Sequence, residues 1–382
     1  MHVMHVLGNF GPGGAEMGVV RLINSFPDER VKHSVCSLGP DSSMAAELEP
    51  GVPCFCLNVR GRSYTAFRHI ARLARENSID LLHVNNLAPW MDTLAASRLA
   101  GCACIETFHG VEQGQGVFRW TKRQIFSFLA ERSAAVTAVS EAAGRLLVEL
   151  TGIEGGHVQV INNGVDCDFF SPCEDTSRKT ELRRRLELPT ESLILGCIAG
   201  LRPVKGHHGL LEAFARVPVE SNMRLVFVGS GPEEKNLKEL AGELGIKERL
   251  HFMGNRQDIA DLVRAFDVFV LNSETEGLSY AVLEAMASGL PVAATAVGAN
   301  PELIESGEQG WLYPPGQTED LVKILTRIGS NPEILEPVGR KARSRVMESF
   351  GYDVMAGQYA ELYQKVRGDV VEYSRQKSRP EK

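Results

Sequence analysis

The sequence predicts an α/β protein made of two doubly wound parallel sheets, and three observations predict it. Short apolar runs alternate with amphipathic stretches from end to end, the pattern of repeated βα units. The series is interrupted once, by the polar stretch from Asp166 to Pro189 with its Ser171-Pro172 and the charged cluster Arg178 to Glu187, and then starts again. The chain has 382 residues, long for one hydrophobic core and suited to two.

In the first half, strands are expected to begin near Val3, Ser34, Cys54, Leu81, Cys104, Ala135 and Val158. Amphipathic stretches such as Ala66 to Arg75 and Trp90 to Leu99 read as helices between them. The second half opens with Leu193 to Ile198, a Gly-containing turn and a helix from Leu210 to Arg216. Arg224 to Gly229, Leu250 to Met253, Val268 to Leu271 and Val292 to Thr295 continue the strand series. The Ala/Leu/Met-rich run after Ser279 reads as a helix that stops at Gly289, with Pro291 beyond. A last helical stretch covers Tyr352 to Val366, and the charged residues 368–382 read as a flexible tail.

Composition is that of an ordinary globular protein, 43% hydrophobic and 23% charged. A formal charge of −7 argues against nucleic acid as a partner. No apolar run approaches the ~18 residues of a membrane-spanning helix. Met1 to Gly8 reads as a first strand, without the charged and apolar regions of a signal peptide. Eight cysteines are spread along the chain. The pairs Cys54/Cys56 and Cys102/Cys104 are too closely spaced for the usual zinc knuckle and read as buried, reduced thiols in a cytoplasmic protein. No metal site is expected.

Four places carry chemistry. Gly11-Pro12-Gly13-Gly14-Ala15-Glu16 follows the first strand and opens a helix, so it reads either as a turn that admits a ligand or as a plain tight βα turn. It does not fit Gly-x-Gly-x-x-Gly, so the nicotinamide fingerprint is absent. His109 ends a strand and reads either as a ligand contact or as a structural histidine. Arg202 and Lys205 sit in a Gly-bounded turn before a helix, which suits a phosphate-bearing ligand or solvated charge. Glu276 and Glu284 flank the start of the Ala-rich helix and read either as solvated carboxylates on its surface or as acids of the kind that grip vicinal ribose hydroxyls near a Rossmann crevice. Two basic stretches, Arg60, Arg62, Arg68, Arg72, Arg75 and Phe118 to Phe128, read equally as solvated amphipathic helices or as a surface for an anionic membrane.

Taken in order, these pieces resemble the retaining glycosyltransferases of the GT-B fold, family 4. Gly13-Gly14-Ala15-Glu16 is similar to the family's Gly-Gly-x-Glu turn, and His109 to its cleft histidine. Asn163-Gly164-Val165-Asp166 with Phe170 and Pro172 resembles the interdomain segment. Lys205-Gly206 resembles the donor-phosphate lysine, and Glu276 to Glu284 the Glu-x₇-Glu motif, followed by Ala285-Met286-Ala287-Ser288-Gly289-Leu290-Pro291-Val292.

The resemblance implies two Rossmann-like domains facing a cleft: 1–165 on the acceptor side, a linker 166–189, and 190–351 binding the nucleotide sugar, with the helix at about 352–366 packed back on the first domain. It implies transfer of a sugar, with retention and without a metal or other cofactor, from a UDP- or GDP-sugar to a glycan or polyprenyl-linked acceptor in envelope polysaccharide synthesis. The setting would be the cytoplasm, with peripheral contact at the inner membrane surface. Glu284 would hold the ribose, Glu276 with the amides near Gly277 and Leu278 would orient the sugar, and Lys205 would neutralise the diphosphate. Met253 to Arg256 would lie near the base. His109 would face the reacting carbon, and Gly13 and Gly14 would close over the diphosphate or shape the acceptor side. One departure stands out: where the family places an Arg directly after the first strand of its second domain, this chain has Gly200, with Arg202 the nearest cation. A nucleotide-sugar epimerase and a non-catalytic sugar-binding subunit are the other readings, and Gly200 is the feature that favours the latter.

Overall fold

The computed structural model describes residues 1–59, 65–110, 120–173 and 175–377, with side chains described as far as residue 368. Arg60, Arg62, Phe118 and Arg119 of the basic stretches lie outside the described residues. The chain divides into two compact units, Met1–Gly164 with Tyr352–Lys382, and Val165–Gly351.

The first unit carries strands β1 (His2–Leu7), β2 (Lys32–Ser37), β3 (Cys54–Cys56), β4 (Leu81–Asn85), β5 (Ala103–Phe108), β6 (Ala135–Ala138) and β7 (Val158–Val160). Between them run α1 (Gly14–Asn24), α2 (Ala66–Glu76), α3 (Trp90–Ala100), α4 (Trp120–Arg132) and α5 (Glu141–Thr151). The strands form a parallel sheet in the order β3-β2-β1-β4-β5-β6-β7. The order reverses between β1 and β4, where Val3 pairs with Leu81 and Val6 with Val84. Such a reversal opens a crevice at the carboxyl ends of the two strands, and ligands bind there in doubly wound sheets.

Side chains two apart share a face. Met4, Val6 and Leu82 therefore pack with Ile70, Ala71 and Ala74 of α2, while Val3, Leu81 and Ile105 point the other way. That second face is closed by α14 (Tyr352–Lys377), whose Met355, Tyr359, Tyr363 and Val366 join the same core. It also buries a polar seam. His83 Nδ1 lies 2.7 Å from the Tyr363 hydroxyl and Nε2 lies 2.6 Å from Thr107 Oγ1. Thr107 continues to Thr137 at 2.6 Å, and His5 Nε2 meets His33 Nδ1 at 3.1 Å.

The second unit carries α6 (Thr176–Arg185), β8 (Leu193–Ile198), α7 (His207–Ala215), β9 (Met223–Val228), α8 (Glu234–Glu243), β10 (Leu250–Phe252), α9 (Ile259–Ala265) and β11 (Val268–Leu271). It continues with α10 (Tyr280–Ala287), β12 (Val292–Thr295), α11 (Asn300–Leu303), β13 (Gly310–Tyr313), α12 (Thr318–Ser330) and α13 (Leu335–Ser349). Its parallel sheet has the order β10-β9-β8-β11-β12-β13, with the reversal between β8 and β11. Gly196 of β8 leaves room for the Phe266 ring, which a Cβ there would strike. Gly289 follows α10 with φ +75°, the left-handed stop that the sequence signals.

Three expectations need correction. Within the stretch 166–189, expected as a linker, the 10 residues Thr176–Arg185 are the helix α6, and all of the stretch belongs to the second unit. Asp175 caps that helix through Arg178 N–H at 2.8 Å, and Lys179 and Arg183 reach Asp267 at 2.7 and 2.6 Å. The final helix runs to Lys377, through residues expected as tail. Of the eight free cysteines, Cys56 is exposed rather than buried. Among the described residues, no helix is long and apolar enough to cross a membrane.

Candidate functional site

Both crevices carry residues singled out in the sequence. In the second unit, β8 leads into Gly200, Arg202 and a single 3₁₀ turn, Pro203–Lys205. Gly206 then takes φ +64°, and a Cβ there would collide with the Asn272 carbonyl. That close approach is fastened from both sides. Asn272 Nδ2 donates to Gly206 O at 2.7 Å, and Glu274 N–H donates to Val204 O at 2.9 Å. The Tyr313 hydroxyl donates to Asn272 Oδ1 at 3.0 Å. The loop after β8 is thereby bound to the loop after β11.

Lys205 and Glu276 meet across this join. Lys205 Nζ lies 2.7 Å from Glu276 Oε1, and Ser273 Oγ donates to the same oxygen at 2.6 Å. The Glu276 side chain is 8% exposed and that of Lys205 27%, so the carboxylate is sunk while the ammonium still reaches solvent. The peptide beyond is held too. Ala299 N–H donates to Gly277 O at 3.0 Å, and Gly298, at φ +54°, leaves space for the Glu276 carbonyl. Leu278 is buried just before the start of α10, and Glu284 is buried about one turn into that helix. Arg202 is exposed, and its Nε lies 3.9 Å from where a Cβ on Gly200 would stand. After β10, Gly254 O accepts from Gly229 N–H at 2.8 Å, and Arg256 pairs with Asp258 at 2.6 Å.

In the first unit, Gly13 precedes α1 and Gly14 is its first residue. A Cβ on Gly13 would strike the carboxylate of Glu16, and one on Gly11 that of Asp41. Two acids therefore frame the turn. Burial raises the Glu16 carboxyl above its ordinary range, and the nearby Asp41 adds to this. Asp41 itself is held low by the Ser43 N–H at 3.0 Å and then by the Ser43 hydroxyl at 2.8 Å. A helix start already facing its own glutamate is poorly suited to a further anion.

His109 follows β5. Its Nε2 lies 3.0 Å from Asn85 Oδ1, and its main-chain N–H donates to Asn86 Oδ1 at 3.0 Å. Its Nδ1 is buried with no partner among the described residues. Burial lowers its pKa to about 4, so the ring is neutral at pH 7. Asn85 and Asn86 were not singled out in the sequence. The signal available was the polar pair itself, at the carboxyl end of the strand that begins at Leu81. Glu16, Asp41, Asn272 and Ser273 were likewise passed over or left without a role. No trio of His, Cys, Asp or Glu among the described residues is arranged to hold a metal ion.

Family models match both units. Residues 12–169 match the model described as Glycosyltransferase Family 4, and residues 178–345 match that of Glycosyl transferases group 1. The chain is 28% identical over 303 residues to the N-acetyl-alpha-D-glucosaminyl L-malate synthase of Bacillus anthracis, covering 78% of each protein. It is 25% identical to the UDP-Gal:alpha-D-GlcNAc-diphosphoundecaprenol alpha-1,3-galactosyltransferase of Escherichia coli, covering 82% of each. Among solved structures, Anabaena Alr3699/HepE in complex with UDP has TM-score 0.83 at 23% identity, over 96% of this chain and 100% of that one. Sucrose-phosphate synthase of Thermosynechococcus elongatus has TM-score 0.79 at 21% identity, over 97% of this chain and 100% of that one. At such identities the structures establish the fold.

Proposed function

As a glycosyltransferase of family 4, group 1, to which the chain belongs along both of its units, the protein transfers sugar, and we propose that it draws on a nucleotide-sugar donor and retains the anomeric configuration. The observation that carries this reading is the meeting of Lys205 and Glu276 at the strand reversal of the second sheet. The UDP complex of HepE and the UDP-Gal substrate in the Escherichia coli relative's name support a uridine donor. That relative's diphosphoundecaprenol substrate supports a lipid-linked glycan acceptor in envelope polysaccharide synthesis.

In this reading Glu284 holds the ribose, and Lys205 neutralises the diphosphate together with Arg202. Glu276 and the amides of Gly277 and Leu278 orient the sugar. His109 contacts the sugar, and the acid-framed turn at Gly13 and Gly14 serves acceptor hydroxyls rather than phosphate. The bond from the anomeric carbon to phosphate oxygen breaks as the bond to the acceptor oxygen forms on the same face. The acceptor proton passes to the departing phosphate oxygen. No protein nucleophile is required, and fixed cations stand in place of a metal. Glu276 already grips the lysine, so the ammonium is placed before any diphosphate arrives, and placement in advance is where such charge stabilisation gains most.

Release of nucleoside diphosphate from UDP-sugars, with and without EDTA, tests the reading. Glu276→Ala should abolish release while EDTA leaves it intact. Product NMR showing an epimerised donor and an unconsumed acceptor would overturn transfer. For the membrane contact, the support is α4, where Trp120, Ile125 and Phe128 are exposed beside Arg132, whose guanidinium stacks 3.7 Å from the Phe128 ring. Phe126 of the same helix is core. Binding to anionic liposomes should weaken with salt and with Trp120→Ala.

A further inference from the structure

Asn85 is a side chain whose orientation is fixed by one neighbour and passed on to another. Its Nδ2 donates to the His83 carbonyl at 3.1 Å, which accepts only. The amide oxygen must then face His109, where it lies 3.0 Å from Nε2. An amide oxygen accepts, so Nε2 carries the ring proton. By exclusion Nδ1 of the neutral ring holds a lone pair, and that atom is the one left without a partner. Asn86, at φ +69°, completes the grip by taking the His109 main-chain N–H.

We infer that Asn85 is a positioning residue that sets the tautomer of His109, leaving Nδ1 as a fixed hydrogen-bond acceptor for a ligand hydroxyl. This rests on the assignment of His109 to the sugar. It goes beyond that assignment in stating which atom is used and in excluding His109 as a source of positive charge for the diphosphate. The groups near the ring agree. His83 on β4 and His5 on β1 are both buried and neutral, so neither offsets the burial that disfavours a charge on His109. Asn85 supplies a neutral oxygen where a carboxylate would hold an imidazolium.

The test is the ¹⁵N spectrum of histidine-labelled full-length protein without ligand, with His109 assigned by its loss in His109→Gln. The expected result is a neutral ring with the proton on Nε2 throughout pH 6–8. A proton on Nδ1, or a mixture of tautomers, overturns the proposal. In Asn85→Asp the ring should titrate about one to two pH units higher. UDP-sugar affinity, nearly flat from pH 5 to 8 in the wild type, should become pH-dependent and about two- to tenfold weaker at pH 5. An unmoved titration in a folded variant also overturns it. If the tautomer is as stated but no UDP-sugar perturbs His109, the role of Asn85 stands and the glycosyltransferase assignment of His109 falls.

Discussion

At the residue scale, two glycines in one loop have opposite freedom. Gly206 combines φ +64° with a carbonyl lying where a Cβ would go. Gly206→Ala should cost at least about 2 kcal/mol in urea unfolding, since the left-handed conformation alone costs about 1–2 kcal/mol for an L residue. Gly200 has only Ser230 O at 3.8 Å and Arg202 Nε at 3.9 Å near a Cβ. Gly200→Arg should fold with stability changed by no more than about 0.5 kcal/mol and should raise the thermal shift given by UDP. A loss of UDP binding in that variant would mean that Arg202 alone fills the space. Lys205, Glu276 and His109 stand out in the sequence as charged or titratable residues beside a Gly, and Glu284 as an acid inside an Ala-rich helix. Glu16 folding back over Gly13 was not legible, because nothing in Gly-Gly-Ala-Glu says which way the carboxylate turns.

At the scale of elements, strands were legible wherever an apolar run was long enough to be bounded. β13 was missed, since four residues between Gln309 and Pro314 give no period to read. α6 was missed for a different reason. It buries only Leu182 and Arg183, so it has no apolar stripe, and its anchor is the ionic contact to Asp267, some eighty residues away. β5 shows the converse case, a charge in an apolar strand. Glu106 is wholly buried, both carboxyl oxygens lack partners among the described residues, and burial raises its pKa well above the usual 4.5. The folded chain therefore keeps a proton that the unfolded chain releases above pH 4.5, and stability falls as pH rises. Glu106→Gln removes that penalty. Its stability should gain on the wild type as pH rises above roughly 5, by up to about 1.4 kcal/mol per pH unit, measured by denaturant unfolding. A difference that stays constant with pH would contradict the buried-acid account.

At the scale of the molecule, the two units carry different proton loads. In the first, burial lowers His33 and His109 to about 4 and His83 to about 3, with His5 well below 6.5. In the second, His207 is lowered to about 4 and His251 more modestly. Each such histidine stays neutral when folded and takes a proton when unfolded below pH 6.5. Stability is therefore full above that pH and is lost as pH falls towards 4, by up to about 1.4 kcal/mol per unit for each group. The first unit should melt ahead of the second in calorimetry at pH 5, with the gap narrowing at pH 7. A gap independent of pH would contradict this. The two-unit plan was legible in the restart of the βα series; the seam of histidines was not, because it depends on which strands become neighbours.

The path of the chain has a consequence for biogenesis. The first unit is left at Gly164 and resumed at Tyr352, so α14 emerges from the ribosome only after the whole of the second unit. Until then Val3, Leu81 and Ile105 lack the helix that covers them, and His83 lacks the Tyr363 hydroxyl. The second unit, contiguous from Val165 to Gly351, can reach its native state on the nascent chain, whereas the first waits with an open apolar face. The unit translated earlier is thus the later to mature, and a ribosome stalled before Tyr352 leaves a product that chaperones and proteases can recognise.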